Sequence, residues 1–287
     1  MIPRRGFLAA GAAFAAYPYR AAAAEPGHTN VVGKAIDLRG PMEQGSLVVG
    51  TVGPGMSVTI DKKPVRVTPE GAFAFGFAYD QTKGVDIVAR SASGLEVAQV
   101  ADPVVRHYDI QKINGLPQKF VTPPKEVLER IARENAMVGE ARKRDSDGTA
   151  FAQPFDWPAK GILSGTFGSQ RIDNGTAMSP HFGVDVAAPE GAPIHAPADG
   201  TVTLAEPDFY LTGGTTLLDH GHGVSTTYIH QSALKVKVGD VVKRGDLIGL
   251  VGKKGRATGP HLHWAMNWFQ IRLDPSRSTA VPAPEKG

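Results

Sequence analysis

A chain of 287 residues, 41% hydrophobic and 21% charged, is long enough for two ordinary domains or one large one, and its composition is neither that of a disordered polymer nor that of a membrane bundle. It has no cysteine, which excludes a disulfide scaffold, a zinc ribbon and a thiol nucleophile; a bound metal must rest on histidine and carboxylate. The formal net charge of +3 resides in the first 24 residues: without Arg4, Arg5 and Arg20, 28 Lys and Arg face 28 Asp and Glu, and a nucleic-acid partner loses its compositional support.

Arg4-Arg5, the apolar stretch Gly6 to Tyr17 and the small residues Ala21 to Ala24 describe a signal peptide over 1–24, with the cut before Glu25. The apolar stretch falls short of the ~20 residues that a bilayer span needs. Arg4-Arg5-Gly6-Phe7-Leu8 resembles a twin-arginine export signal, although Pro3 stands where Ser or Thr is usual and Ala9 where Lys is common. The expectation is an exported protein of a bacterial periplasm or envelope, by the twin-arginine or the general route, with no transmembrane segment in the mature chain.

Between Gln44 and Ile110, short alternating runs are divided by turn residues such as Gly53-Pro54-Gly55 and Ser91-Ala92-Ser93-Gly94. The runs are Ser46–Val52, Ser57–Ile60, Val65–Val67, the segment of Phe73, Phe75 and Phe77, Val85–Ala89 and Leu95–Val100. This spacing predicts a small antiparallel β-sandwich over 25–110. The three phenylalanines share one strand face and read as core rather than as a ligand platform. Residues 111–158 read as a connector containing a helix over 124–144, with Thr122 as N-cap and Pro123 at the first helical position. Val127, Leu128, Ile131, Val138 and Ala141 form its apolar stripe, directed at a neighbouring domain. From 159 to 277 short strands return, among them Gly200–Ala205, Thr215–Asp219, Gly223–Ile229, Leu247–Val251 and His261–Met266. The fold expected is mainly β, with an antiparallel second domain and a flexible tail over 278–287.

Seven of the nine histidines lie between His181 and His263, which concentrates a site in the second domain. His261-x-His263 sits in a strand-like segment, so both imidazoles leave the same face about 7 Å apart at ~3.3 Å per residue. His181 and Asp185, four apart, converge on either a strand or a helix. Two histidines, one carboxylate and an open position make a catalytic zinc site, in contrast to the closed structural type with four protein ligands. The H-E-x-x-H helix of common metalloproteases is absent. A histidine then supplies the base, because its pKa of ~6.5 suits proton transfer near neutrality: His230, or whichever of His261 and His263 is not a ligand.

His181-Phe182-Gly183-Val184-Asp185 and Gly259-Pro260-His261-Leu262-His263-Trp264 resemble the paired signatures of lysostaphin-type (LytM-like) zinc metalloendopeptidases. Gly200-Thr201-Val202, Asp219-His220-Gly221-His222-Gly223, Tyr228-Ile229-His230 and Val238-Gly239-Asp240 follow in that family's order, and the resemblance spans roughly 160–276. It implies one zinc ion held by His181, Asp185 and His263. His261 and His230 are then the catalytic histidines, which activate the attacking water or stabilise the oxyanion. It also implies that the partner is the peptide stem of bacterial cell-wall peptidoglycan, whose cross-links are hydrolysed. Gln231 departs from the leucine usual after the third motif's histidine. A non-catalytic activator of another wall hydrolase on the same fold, or an autoinhibited wall-binding protein, is the alternative. Asn174 is a candidate to occupy the open metal position. His220 and His222 read as turn residues and His195 as a surface residue.

Overall fold

The structure, a computed structural model, describes residues 36–115 and 117–285; the expected signal peptide lies outside the described residues. The first strands are β1 (Asp37–Arg39), β2 (Leu47–Thr51), β3 (Ser57–Ile60), β4 (Lys63–Val65), β5 (Ala72–Gly76), β6 (Val85–Arg90) and β7 (Glu96–Ala101). They form two antiparallel sheets in the orders β1-β2-β5 and β4-β3-β6-β7. Alternation sends Val48, Val58, Phe73, Phe75, Phe77, Ile87 and Ala89 into one buried cluster. Phe75 and Phe77 meet edge to face at 5.4 Å, the offset geometry that aromatic quadrupoles favour. The run expected at Val65–Val67 starts earlier, at Lys63. Asp61 and Lys62 both take positive φ (48° and 66°), closing a two-residue hairpin that puts Lys63 directly opposite Ile60.

β8 (Ile110–Ile113) straddles the expected boundary between sandwich and connector, and α1 (Gln118–Val121) and α2 (Lys125–Ala141) lie within the connector. Nothing local announces β8, since four residues without alternation carry no period and its partner is distant in sequence. The α2 N-cap is Pro124, without a side-chain cap bond, instead of Thr122. Pro124 disfavours helical geometry at Pro123 before it, so the helix starts only after the second proline. Val127, Ile131, Val138 and Ala141 are half-buried, and Val138 and Ala141 cover Leu204, Phe209 and Leu217. Leu128, read as part of that stripe, is 48% exposed because it sits at the stripe's edge.

The remaining strands are β9 (Ile162–Gly165), β10 (Gln170–Asp173), β11 (Thr176–Ala177), β12 (Val184–Ala187), β13 (Pro193–His195), β14 (Gly200–Phe209) and β15 (Gly213–Asp219). After them come β16 (Val224–Gln231), β17 (Ala233–Leu234), β18 (Val241–Val242), β19 (Leu247–Leu250), β20 (His261–Trp268) and β21 (Ile271–Leu273). An antiparallel sheet runs β18-β14-β15-β16-β20-β12-β9, with β21 on β20, and a smaller one runs β13-β19-β17. Val184, Val186, Ile194, Tyr228, Ile248, Leu262, Trp264 and Met266 pack in one core cluster. β10 forms a third small sheet, antiparallel to β11 and parallel to β8.

The sandwich and the second region are joined by more than the chain. Tyr79 stacks on Tyr108 at 4.5 Å and meets Phe182 edge to face at 5.6 Å, while Phe167 lies 6.1 Å from Phe182. Arg106 pairs with the buried Asp274 at 2.9 Å. The tail expected to be flexible carries backbone hydrogen bonds: Phe155 N–H donates to Ser278 O at 2.8 Å and Leu163 N–H to Glu285 O at 2.9 Å. No helix among the described residues is long and apolar enough to cross a membrane.

His220 is buried, with Nδ1 donating to Asp199 O and Nε2 accepting from Thr226 Oγ1, each at 2.7 Å. Burial lowers its pKa to about 4. Between pH 6.5 and 4 the unfolded chain therefore takes up a proton that the folded one refuses, and stability falls as the pH falls. At ~1.4 kcal/mol per pKa unit, His220 contributes about 3 kcal/mol to that loss. Urea unfolding of His220→Gln is expected to show lower stability at pH 7 but a shallower pH dependence from 6.5 to 4. An unchanged slope would refute this account of His220.

Candidate metal centre

Asp185 on β12 and His263 on β20 are directly opposed in the antiparallel register, so both side chains leave the same sheet face. His263 Nδ1 lies 2.9 Å from Asp185 Oδ1. His181 precedes β12, its backbone tied to Ser169 O and Gly168 N. Its Nε2 lies 3.1 Å from the same Asp185 oxygen and 2.8 Å from His263 Nδ1. The three donor atoms fall within 4.8 Å of one another, a grouping able to hold a metal ion. His181 Nδ1–H donates to Thr166 O at 3.1 Å, which leaves the Nε2 lone pair facing the carboxylate. Two imidazoles and a carboxylate suit a divalent ion of the zinc type. Tetrahedral ligands at ~2.0–2.1 Å from such an ion stand about 3.3 Å apart, close to the spacings here.

Two more histidines border this group. His261, two residues before His263 on the same face, places Nε2 3.8 Å from Asp185 Oδ1, and its Nδ1–H donates to Gly259 O at 2.9 Å. His230 donates Nδ1–H to Lys254 O at 2.8 Å, and its ring lies 4.7 Å from that of His261. Regular alternation along β16 would send His230 to the face opposite Ile229, which pairs with His263. Its left-handed backbone, φ 63°, beside a register shift between β15 and β16, turns the ring back towards the site.

Burial lowers the His263 pKa to about 4. Burial, with the neighbouring His261 and His263, holds His230 well below the usual imidazole range. Burial alone would raise the Asp185 carboxyl, but the charges and hydrogen bonds of His181 and His263 outweigh it and hold the group well below the carboxylate range. Near neutrality His230 and His263 are therefore unprotonated and Asp185 is ionised, and a metal requires its ligands in that state.

The remaining sequence candidates sit in turns, in the core or at a strand end. His222 takes φ 53° in the turn after β15, His220 is in the hydrogen-bonded core, and His195 Nδ1 pairs with Gly245 O at 2.8 Å. Asn174 takes φ 48° in the turn between β10 and β11, its N–H donating to Ile113 O. Sequence reasoning missed Arg171 on β10, whose Nη2 pairs with Asp185 Oδ2. A lone arginine in a short strand carries no local signal. It also missed Gly165, and it named Gly183 only as a motif residue without its steric role. A Cβ at Gly183 would lie 2.5 Å from His263 Nε2, and one at Gly165 would lie 2.5 Å from Asp185 Oδ2.

Residues 179–275 match peptidase family M23. A crystal structure from Pseudomonas aeruginosa assigned to peptidase M23 aligns with TM-score 0.63 at 30% identity, covering 82% of this chain and 93% of that one. The peptidoglycan DD-endopeptidase ShyA of Vibrio cholerae is 36% identical over 126 residues, 42% of this chain and 29% of that protein. The DD-carboxypeptidase/endopeptidase Mpg of Neisseria meningitidis is 42% identical over 106 residues, 37% of this chain and 24% of that protein. The match thus spans less than a third of these two curated relatives.

Gly183→Ala keeps every donor atom yet drives a methyl group into His263. Metal affinity, read by competition with a chromogenic chelator, is expected to fall at least ~10-fold, the range seen when ligand orientation is disturbed. An affinity within twofold of the parent would contradict the close approach.

Proposed function

The chain belongs to peptidase family M23, and from that premise we propose that it is a zinc-dependent endopeptidase hydrolysing the peptide cross-links of bacterial cell-wall peptidoglycan. The observation that carries this reading is the convergence of His181 Nε2, Asp185 Oδ1 and His263 Nδ1, with His261 Nε2 3.8 Å from the shared carboxylate oxygen. His181, Asp185 and His263 hold the zinc ion. When bound, zinc supplies Lewis acidity and draws the pKa of water towards ~7.

His261 and His230 do the proton work. Each spends Nδ1–H on a backbone carbonyl, so each keeps Nε2 as a base. One of the pair takes a proton from the water that attacks the scissile carbonyl carbon. The protonated imidazole hydrogen-bonds the developing oxyanion and then gives its proton to the departing amine as the C–N bond breaks. Burial favours the neutral form of His230, so a base is present at ordinary pH. A non-catalytic activator needs neither a complete donor set nor two flanking bases, and this chain has both. The substrate follows the relatives named as peptidoglycan endopeptidases, and the expected signal peptide supports action in the cell envelope. Residues 25–110 serve as a sandwich domain bearing on the peptidase domain over 159–277, the connector lying between them.

Digestion of purified peptidoglycan by the zinc-loaded protein, with muropeptides resolved by mass, is expected to convert cross-linked dimers to monomers. His181→Ala is expected to lose both stoichiometric zinc, measured by mass spectrometry, and hydrolysis. By contrast, His261→Ala keeps zinc while kcat falls on the order of 10²–10⁴-fold, the usual contribution of general acid–base catalysis. Full turnover in that variant would remove His261 from the mechanism, and intact dimers with one zinc per chain would remove the endopeptidase.

A further inference from the structure

Beside Asp185 and His261 the cleft opens into a hollow of about 260 Å³, walled by β8, β10 and the loop from Arg256 to Pro260. Two guanidinium groups border it. Arg256 stands in the loop that leads to His261; its Nη1 is 3.7 Å from Asp173 Oδ2, a charge contact beyond hydrogen-bond reach. Among the described residues that guanidinium makes no closer polar contact. On the β10 wall, Arg171 gives one arm to Asp185, while its Nε is buried without a hydrogen-bond partner among the described residues.

Two acids, Asp185 and Asp173, belong to the same lining. Asp185 also faces His181 and His263, whereas Asp173, its side chain 1% exposed, has Arg256 as its charge contact. A divalent ion on the neighbouring donor set would leave this lining with net positive charge, and the Arg256 guanidinium has no hydrogen-bond partner among the described residues. A guanidinium fork matches a carboxylate with two parallel hydrogen bonds. An amide in its place brings no charge and leaves N–H donors unpaired, which is how polar sites reject near-isosteres.

We propose that this hollow is a carboxylate-recognition subsite, with Arg256 as a specificity-determining residue that selects peptides bearing a free carboxylate close to the bond that is cut. The proposal rests on the peptidase reading above and specifies its substrate class. The carboxylate has two possible sources, the C-terminus of a linear peptide or the free carboxyl group of a cross-linked residue, and both present the same two oxygens.

The test uses the zinc-loaded full-length protein and two matched pairs of synthetic peptides: a linear peptide as C-terminal acid and amide, and a cross-linked peptide with its branch carboxyl free and amidated. At least a tenfold preference in kcat/KM for the acid is expected in one pair, and that pair identifies the source. Arg256→Met is expected to bring the ratio within twofold while zinc content and thermal midpoint stay those of the parent. Arg256→Lys, which keeps the charge but loses the fork, is expected to retain part of the preference. Equal rates on acid and amide in both pairs, or a preference that survives in Arg256→Met, overturns the subsite. Equilibrium binding of the same peptides to His261→Ala separates the two readings. Carboxylate-dependent binding that disappears in His261→Ala/Arg256→Met, with no cleavage by the parent, keeps the subsite and rejects the peptidase. Equal affinity for acid and amide rejects the subsite whatever the cleavage.

Discussion

The antiparallel register between β12 and β20 is the constraint on which the site depends. Asp185 faces His263 only because Val184 pairs with Trp264 and Val186 with Leu262, and these four flanking side chains are buried to 1% exposure or less. Strand side chains alternate, so a slip of one residue would exchange the two faces. It would bring Val184 and Val186 into water, at ~1.5–3 kcal/mol each, a total on the order of 5 kcal/mol. That is at the lower end of the whole stability of an ordinary domain. The hydrophobic core therefore holds Asp185 and His263 in register, and only His181 comes from a loop.

Around that pair, irregular backbone completes the geometry. His181 comes from a segment clamped by Gly168 and Ser169, and His230 from the end of β16, where a left-handed residue breaks the alternation. Gly165 and Gly183 leave room for the carboxylate and for the second imidazole. Burial then sets the protonation state. It disfavours charge on His230 and His263, whereas Asp185 stays ionised because the histidines around it more than offset its own desolvation. The result is a concentrated set of lone pairs beside a single negative charge, in surroundings that exclude most water.

The N-terminal sandwich bears on this arrangement from outside the matched region. β8 runs parallel to β10, and β10 carries the arginine that meets Asp185. Tyr79 and Tyr108 reach from the sandwich side to Phe167 and Phe182, the latter adjacent to His181 in the chain. Ile113 and Gln111 line the hollow beside the candidate metal centre. The shape of the cleft thus depends on residues outside the segment that matches the peptidase family.

The amino-acid sequence by itself determined the class of the fold, most of the strands and the donor types. Period-two alternation, turn residues, the absence of cysteine and the crowding of histidines are local properties of the chain. His261 and His263 share a face because they are two apart on a strand, and four-residue spacing lets His181 approach Asp185. Only the tertiary structure decided that Asp185 sits opposite His263, that His230 turns inward, and that Arg171 and Arg256 flank the cleft. The same holds for the short parallel strand β8 and for the backbone bonds of the tail. The reason is physical: each depends on a pairing between residues far apart in the chain, where the energy lies in burial and register and no local period records it.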